Sequence, residues 1–352
     1  MRIGYYSHNI DFAGTWRSHE RIAQILQHNP SLSIDIFYSP AVDNNRLDVC
    51  KGILSKCSFV PFERSLEKTG PEQGYAPIST NIESVVKDRA IDVFHFARSG
   101  YYEWPFNQRM APAQIETNIF GYSDNSPYLD GTVYIANCLG IRPSEKRVLI
   151  PNPIPPPTEA YISLECLRQE LGITDTAIVF GRIGRPANFT PIALDAFSIF
   201  RKSRECNYII IGGCEQTRSY AKKIGIESDV IFLECTNDDE FIERFHKTID
   251  IFAHYRSDGE ICSTAISQAM LCGVPVITHT AGRNGQAEWL GGGGVCVSSP
   301  RDYLLSMQSM AQDSVRSSMG QAAREFAEYH FDQEKVANRV LDFYEHIRRG
   351  IL

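Results

Sequence analysis

The sequence predicts two α/β domains, each with a parallel sheet that is covered by helices on both faces. From Ile178 onward, short apolar runs alternate with segments whose apolar residues recur at helical spacing. These runs are apolar throughout, as strands are when both faces of a parallel sheet are buried. A proline-rich segment, residues 151–159, separates this half from a first half in which the alternation is weaker. We therefore expect two doubly wound, Rossmann-like domains that face each other across a cleft.

The division of the chain follows from the proline-rich segment and from the pattern near the carboxyl terminus. The closing residues form an amphipathic helix with four apolar residues on one face: Val336, Val340, Phe343 and Ile347. Residues 44–79 have mixed polarity, so no elements are assigned to them. The expected segments are a first domain (1–150), a linker (151–159), a second domain (160–330) and the closing helix (331–352).

Composition excludes several classes of function. The net charge of −7 gives no general attraction to nucleic acid, so no nucleic-acid partner is expected. No run approaches the ~20 apolar residues that cross a bilayer, and the first residues resemble a strand more than a signal peptide. Peripheral contact with a membrane stays open. Ten cysteines without a C-x-x-C pair argue against a zinc site and a disulfide framework, which favours a cytoplasmic location.

The segment "SDGEICSTAISQAMLCGVPVI", Ser257 to Ile277, predicts a helix followed by a buried strand. Five residues form one apolar stripe at helical spacing: Cys262, Ala265, Ile266, Ala269 and Met270. Ser257 and Glu260 fit a capping box, in which Glu260 serves only to close the helix start. The alternative is that Glu260 faces a ligand.

The ligand interpretation depends on the start of this helix, which follows a strand at the sheet edge where such folds bind ligands. The N–H groups of Ile261, Cys262 and Ser263, with the positive end of the helix dipole, form a phosphate site. A carboxylate would repel phosphate, so Glu260 is expected to accept hydrogen bonds from hydroxyls beside it. Gln268 lies about 12 Å further along the axis, so a ligand that reaches both residues is elongated, as a nucleotide sugar is.

Four segments, in this order, resemble glycosyltransferase family 4, the retaining GT-B enzymes. "IPNPI" is similar to the family's I-P-N-G-V segment, and "GRIGRPANFTPIALDAF" to its glycine-arginine turn and the helix that follows. The segment from Ser257 to Ile277 resembles the S-x-x-E-x-F-G-x-x-x-x-E-A-M-x-x-G-x-P-V-I signature. "FDQEKVANRVLDFYEHI" is similar to the closing helix, which in the family packs back on the first domain. The resemblance covers nearly the whole chain and is loose over residues 44–107.

The resemblance implies a GT-B enzyme that transfers a sugar from a UDP- or GDP-linked donor to a glycan or other hydroxyl acceptor. The anomeric configuration is retained, and no cofactor or metal is required; the sequence contains no D-x-D triplet. Without a metal, the leaving diphosphate needs fixed positive charge and N–H donors. By resemblance Arg182 supplies the charge, and Glu260 contacts the sugar hydroxyls. The amides are those of Ile261, Cys262, Ser263 and Thr264.

The chain departs from the family pattern at several donor-side positions. The lysine expected five residues after Arg182 is Ala187, and Arg185 is the nearest cation that could replace it. The second glutamate of the E-x7-E pair is Gln268, whose amide can still accept bonds from ribose hydroxyls. The Phe-Gly pair after the first glutamate is Cys262-Ser263, so a close approach of the backbone to the sugar is less favoured.

Other candidate positions carry weaker signals. Gly14 stands where the family has its first glycine-rich loop, although any turn could use one glycine. On the acceptor side, Asn118 replaces a histidine of the family pattern. His95 is a candidate there too, or a core histidine with satisfied nitrogens. The loop 284–288 matches the one that follows the P-V-I strand, and Glu288 in it is a candidate contact or a helix-start residue.

Two other functions compete with sugar transfer. A sugar-nucleotide epimerase on the same scaffold would convert the donor without an acceptor. A non-catalytic protein that binds a nucleotide sugar would explain the substitutions at Gln268 and Ala187. A dinucleotide oxidoreductase is disfavoured because no G-x-G-x-x-G follows a strand.

Overall fold

A computed structural model describes residues 1–6, 14–39, 42–70, 74–98, 104–121, 126–185, 188–236 and 238–351. The chain divides into two compact units. The first unit comprises Met1–Pro153 and Gln333–Leu352, and the second comprises Ile154–Asp332.

The first unit contains, within the described residues, a parallel sheet of seven strands and a separate antiparallel hairpin. Its strands are β1 (Arg2–Tyr6), β2 (Ser33–Tyr38), β3 (Ser58–Pro61), β4 (Arg64–Gly70), β5 (Gly74–Thr80), β6 (Val93–Arg98), β7 (Ala113–Asn118), β8 (Gly131–Tyr134) and β9 (Arg147–Leu149). Its first helices are α1 (Gly14–Leu26), α2 (Asn44–Ile53), α3 (Ile82–Asp88) and α4 (Trp104–Asn107). The sheet order is β3-β2-β1-β6-β7-β8-β9, and β4 pairs with β5. The order reverses between β1 and β6, as in a doubly wound fold.

The second unit is built on a six-stranded parallel sheet, counted over its described residues. Its strands are β10 (Ile178–Ile183), β11 (Cys206–Ile211), β12 (Val230–Leu233), β13 (Ile251–Ala253), β14 (Val276–His279) and β15 (Gly294–Val297). Its helices are α5 (Ile192–Phe200), α6 (Glu215–Lys223), α7 (Asp239–Thr248), α8 (Thr264–Leu271), α9 (Pro300–Met310) and α10 (Asp313–His330). The order β12-β11-β10-β13-β14-β15 places the reversal between β10 and β13. The predicted doubly wound parallel sheets are confirmed.

The last helix, α11 (Gln333–Ile351), packs in the core of the first unit. The four residues of its predicted apolar face, at positions 336, 340, 343 and 347, are all buried against strands and α1. Strand residues alternate between two cores, because successive side chains of a strand point to opposite faces. Tyr5 lies in the core that contains α1 and α11, whereas Tyr6 lies in the core on the other face of the sheet.

The structure contains a helix and strands in the segment to which the sequence analysis assigned no secondary structure. Residues 44–79 contain α2, β3, β4 and most of β5. All ten cysteines lie in the described ranges, and none forms a disulfide. Over these same ranges, every helix is too short or too polar to span a lipid bilayer.

Gly4 and Gly52 offer a test of core packing within one unit. A Cβ on Gly4, in the middle of β1, would lie 2.8 Å from Phe37 Cε2 and 3.1 Å from Phe94 Cδ2. Both rings are fully buried, so they cannot move aside without disturbing the core. We expect Gly4→Ala to lower the free energy of unfolding of this unit by about 1–3 kcal/mol.

Gly52 is the matched control, because it lies in α2 and a Cβ on it would have no neighbouring atom within 4 Å. Gly52→Ala should raise stability by about 0.5–1 kcal/mol, since alanine loses less conformational entropy in a helix. Urea denaturation of both variants measures the two effects. Equal stability of the two variants would contradict the packing seen around β1.

Candidate functional site

The candidate site lies at the carboxyl edge of the second sheet, where the strand order reverses. β10 and β13 are adjacent parallel strands, with Phe180 opposite Ile251. The loops that follow them are joined by two hydrogen bonds. Ser257 N donates to Asn188 O at 2.9 Å, and Asn188 Nδ2 donates to Asp258 Oδ2 at 3.1 Å. Ligands of doubly wound sheets bind at this kind of position.

Arg182 brings a positive charge to this edge. Its residue is only 4% exposed, and its guanidinium carbon lies 4.4 Å from the centre of the Tyr255 ring. The Nε atom donates to Tyr255 O at 3.4 Å, and Nη2 donates to Arg185 O at 3.5 Å. A Cβ on Gly184 would lie 2.9 Å from Nη2, so a glycine there leaves room for the guanidinium.

The charge of Arg182 has no carboxylate within 4.0 Å in the part of the chain that the structure describes. Burial of an arginine without a carboxylate is costly, because the charge loses hydration without gaining a counter-ion. The planar guanidinium, already stacked on an aromatic ring, suits bidentate contact with phosphate. Arg182 can therefore offer its charge to an anionic ligand.

Glu260 lies in a loop and not on a helix, so its predicted role in a capping box is wrong. Its backbone N–H donates to Gln286 Oε1 at 2.9 Å, and Gln286 N donates to Glu260 O at 3.2 Å. Gln286 is 2% exposed, and its Nε2 donates to His279 O at 2.8 Å. Gln286 thus ties the Glu260 backbone to the end of β14. Glu288 was the sequence candidate in this loop, and Gln286 was missed.

Two glycines allow these loops to approach each other. Gly259 has φ +68°, and a Cβ on it would lie 2.0 Å from Ala281 O. A Cβ on Gly285 would lie 2.1 Å from Ile261 O. Any other residue would collide with backbone at either position, and Gly259 also has a conformation that favours glycine. The position of the Glu260 backbone is therefore set by backbone packing as well as by Gln286.

The Glu260 side chain is part of a charged cluster and remains 23% exposed. Its Oε1 lies 3.5 Å from Arg256 Nη1 and 3.7 Å from His254 Nε2. Burial raises the pKa of Glu260, but the neighbouring His254 ring and the Arg256 charge outweigh it, so the pKa lies below its usual value. At neutral pH Glu260 is a carboxylate that can accept hydrogen bonds.

His254 is neutral in this setting. Burial lowers its pKa, and the nearby Glu260 only partly opposes this effect. Its Nδ1 lies 2.9 Å from Thr278 Oγ1. The tautomer that satisfies both neighbours has the proton on Nε2, facing Glu260, while the Thr278 hydroxyl donates to Nδ1. Sequence reasoning missed His254 and Tyr255, although both directly follow β13.

The helix after this loop starts four residues later than the predicted start at Glu260. α8 begins at Thr264, and the Ser263 side chain caps it by accepting from Ile266 N at 3.4 Å. Ile261 and Cys262 precede the helix, so their amides do not belong to its first turn. The N–H groups of Thr264 and Ala265 have no acceptor within the helix, because the first turn lacks preceding carbonyls. These two amides, and not those of residues 261–263, form the positive end of α8.

The remaining donor-side candidates are placed as follows. Arg185 is exposed, and Ala187 lies outside the described residues. Gln268 is partly buried within α8. The predicted distance between Glu260 and Gln268 along the helix axis does not apply, because Glu260 lies before the helix begins. Gly14 is the first residue of α1 and directly follows residues that are outside the described ranges.

The two acceptor-side candidates lie in the first unit. His95 is fully buried, with Nδ1 2.5 Å from the Tyr344 hydroxyl and Nε2 2.8 Å from Thr117 Oγ1. Burial lowers its pKa well below the usual value. These surroundings are those of a core histidine with both nitrogens satisfied. Asn118 is 1% exposed at the end of β7, and its Oδ1 accepts from Gly121 N at 2.8 Å.

Within the described ranges, no group of three or more His, Cys, Asp or Glu side chains has the spacing of a metal site.

Comparison with known proteins identifies the fold and the enzyme class. Residues 174–313 match the family described as "Glycosyl transferases group 1". No curated protein sequence matches the chain. Among solved structures, a glycosyltransferase from Rickettsia africae ESF-5 superposes with a TM-score of 0.73 and 13% identity, covering 98% of each chain.

Two further solved structures are similar over nearly the full length of both chains. Sucrose-phosphate synthase from Thermosynechococcus elongatus has a TM-score of 0.69 and 14% identity, covering 99% of this chain and 100% of that one. Anabaena Alr3699/HepE in complex with UDP-glucose has a TM-score of 0.66 and 17% identity, covering 97% and 98%.

The prediction of a glycosyltransferase is confirmed, whereas the narrower assignment to family 4 stays a prediction. The matched residues begin just before β10 and end at the start of α10, so they include Arg182, Glu260 and all six strands of the second sheet. The match thus lies within the second unit, and the protein is a glycosyltransferase with the GT-B fold.

Proposed function

We propose that this enzyme transfers a sugar from a UDP- or GDP-linked donor to an acceptor hydroxyl, with retention of configuration and without a metal ion. The observation that carries the proposal is the buried Arg182 guanidinium at the strand-order reversal, which has no carboxylate neighbour in the described residues. The solved HepE structures, similar in fold, hold UDP or UDP-glucose, which supports a nucleotide-sugar donor.

In the proposed reaction, the bond from the anomeric carbon to the β-phosphate oxygen breaks and a bond to the acceptor oxygen forms. Negative charge builds on the departing diphosphate, so a fixed cation and preorganised N–H donors lower the barrier. Arg182 supplies the cation, and Thr264 and Ala265 at the start of α8 supply the amides. These groups offset part of the charge on the departing diphosphate, and we propose that the step proceeds without a metal ion.

Glu260 is proposed to hold the sugar by accepting hydrogen bonds from its hydroxyls. Its pKa lies below the usual value, so it remains an acceptor at neutral pH. Its Oε1 already faces Arg256 and His254, which weakens it as a nucleophile. We therefore propose attack by the acceptor on the face that the diphosphate leaves, with the acceptor proton passing to a departing phosphate oxygen.

The compartment and the acceptor belong to the proposal as well. Ten cysteines without a disulfide suit a reducing environment, so we place the reaction in the cytoplasm. The acceptor is a glycan or another molecule with a free hydroxyl.

Arg182→Met tests whether this charge serves the ligand or the fold. Removing a buried charge without a carboxylate partner should leave the free protein as stable as the wild type, or more stable by up to about 2 kcal/mol. The same change should abolish the rise in melting temperature that UDP or GDP causes in the wild type. Thermal unfolding with and without nucleotide measures both effects.

Arg168→Met is the matched control in the same unit. Arg168 Nη2 forms an ion pair with Asp250 Oδ2 at 2.9 Å, so its loss should cost about 1–3 kcal/mol while nucleotide binding persists. If Arg182→Met bound nucleotide like the wild type, the assignment of Arg182 to the diphosphate would fail.

Glu260→Ala tests contact with the sugar separately from contact with the nucleotide. Transfer should fall by about 100-fold or more, because a contact that positions the reacting sugar is lost. The melting-temperature rise with UDP or GDP should stay near that of the wild type, since these ligands lack the sugar. Product formation from a nucleotide sugar, assayed with and without acceptor, also distinguishes transfer from epimerisation.

The control for this variant is Glu227→Ala, which removes an exposed carboxylate from a short 3-10 turn elsewhere in the same unit. It should leave transfer unchanged. Near-normal transfer by Glu260→Ala would contradict the proposed contact between Glu260 and the donor sugar.

A further inference from the structure

The first unit contains a cavity that none of the donor-site residues lines. Its volume is about 430 Å³, within the range of ~300–1,000 Å³ that is typical of small-molecule sites. The cavity lies against one face of β7 and β8 and is bordered by the loop between β8 and β9. The side chains that matter here are Glu116, Asn118, Thr132, Arg142, Lys146 and Arg147.

Among the described residues, no helix follows β7 or β8 to cover the face of the sheet on which the cavity lies. Parallel strands are usually joined by a helix that covers the sheet. Between β7 and β8, residues 119–121 and 126–130 contain none, and the connection from β8 to β9 contains only a 3-10 turn at Asn137–Leu139. The opposite face is covered by α11, since a Cβ on Gly131 would lie 2.9 Å from Phe343 Cζ.

The floor of the cavity is polar where a covered parallel sheet would be apolar. Glu116 and Asn118 are 3% and 1% exposed and point to the same face of β7. Glu116 Oε1 accepts from Thr132 Oγ1 at 3.2 Å, and Glu116 Oε2 lies 3.7 Å from Arg98 Nη1. A carboxylate, an amide and a hydroxyl are the groups with which proteins hydrogen-bond sugar hydroxyls.

The rim carries three cations within six residues: Arg142, Lys146 and Arg147. All three are exposed, and none has a carboxylate within 4.0 Å among the described residues. Of the two acids that line the cavity, Glu116 faces Arg98, and Asp130 forms an ion pair with Arg109. The rim is therefore positive in a chain whose net charge is −7, which favours an anionic ligand.

We propose that this cavity binds a phosphorylated sugar, with its hydroxyls on the Glu116–Asn118–Thr132 floor and its phosphate on the rim of Arg142, Lys146 and Arg147. The inference rests on the proposed function in one respect, which is that this sugar belongs to the acceptor. The floor alone would suit a neutral sugar, and the rim alone would suit inorganic phosphate. Only a ligand with both groups uses the whole cavity.

The test is calorimetric titration of the full chain with glucose 1-phosphate, inorganic phosphate and glucose. The variant Arg142→Gln/Lys146→Gln removes two cations of the rim and leaves the floor intact. Its control, Lys202→Gln/Arg301→Gln, removes two exposed cations of the second unit, so the net charge changes equally. Each of these proteins is also prepared with the additional substitution Arg182→Met and titrated in the same way. This second set distinguishes binding in the cavity from binding at the proposed diphosphate site.

We expect glucose 1-phosphate to bind the wild type, the control and Arg182→Met with similar Kd. The rim variant should bind it about tenfold more weakly or worse, because two charge-assisted contacts are lost. Phosphate and glucose should each bind more weakly than the sugar phosphate.

Three results would overturn the proposal: no binding by the wild type at millimolar concentration, equal Kd for the rim variant, or loss of binding with Arg182→Met. Equal affinity for phosphate and glucose 1-phosphate would overturn the role of the floor. Loss of binding with Arg182→Met would place the sugar phosphate at the proposed diphosphate site instead. The other results leave the proposed roles of Arg182 and Glu260 untouched, because the readout is binding and not transfer.

Discussion

The proposed donor site depends on one buried positive charge, the guanidinium of Arg182, which lies against the ring of Tyr255. β10 delivers the arginine and the residues after β13 deliver the ring, because the order of the sheet makes these strands neighbours. Tyr255 O also accepts from Arg182 Nε, so one residue orients the guanidinium by its ring and by its carbonyl. Burying a charge in this way costs several kcal/mol without a counter-ion. In the proposed reaction, the diphosphate of the sugar donor is this counter-ion.

The second requirement is a carboxylate in the loop after β13 that forms no ion pair with this cation in the described part of the chain. Glu260 is held through its backbone by Gln286 and by glycines whose loops touch, so the side chain is not needed to hold the loop. His254 and Arg256 both lie beside the carboxylate, and together they hold the pKa of Glu260 below its usual value. The guanidinium of Arg182 is therefore available to a phosphate, and the carboxylate of Glu260 is available to hydroxyls. A sugar joined to a diphosphate presents both groups in one molecule.

Much of the fold could be predicted because its strands are apolar throughout, as in "YIIIGG" and "DIFAHY". The β4–β5 hairpin lacks this pattern, so residues 44–79 gave no signal. The start of α8 was misplaced because Ser257-x-x-Glu260 and Ser263 both fit helix caps. The Glu260 backbone is instead held by the hydrogen bond that its N–H donates to Gln286 Oε1, 26 residues further along, and local patterns do not contain this contact. The cavity over β7 was equally hidden, because it depends on which connections between strands lack a helix in the described part of the chain.

The most direct test of the central claim is a crystal structure of the enzyme with UDP or GDP bound. We expect diphosphate oxygens about 2.7–3.1 Å from the Arg182 guanidinium and from the amides of Thr264 and Ala265. We also expect the ring of Tyr255 to keep its place beneath the guanidinium. A nucleotide bound at another place, or bound here with its phosphates turned away from Arg182, would contradict the account.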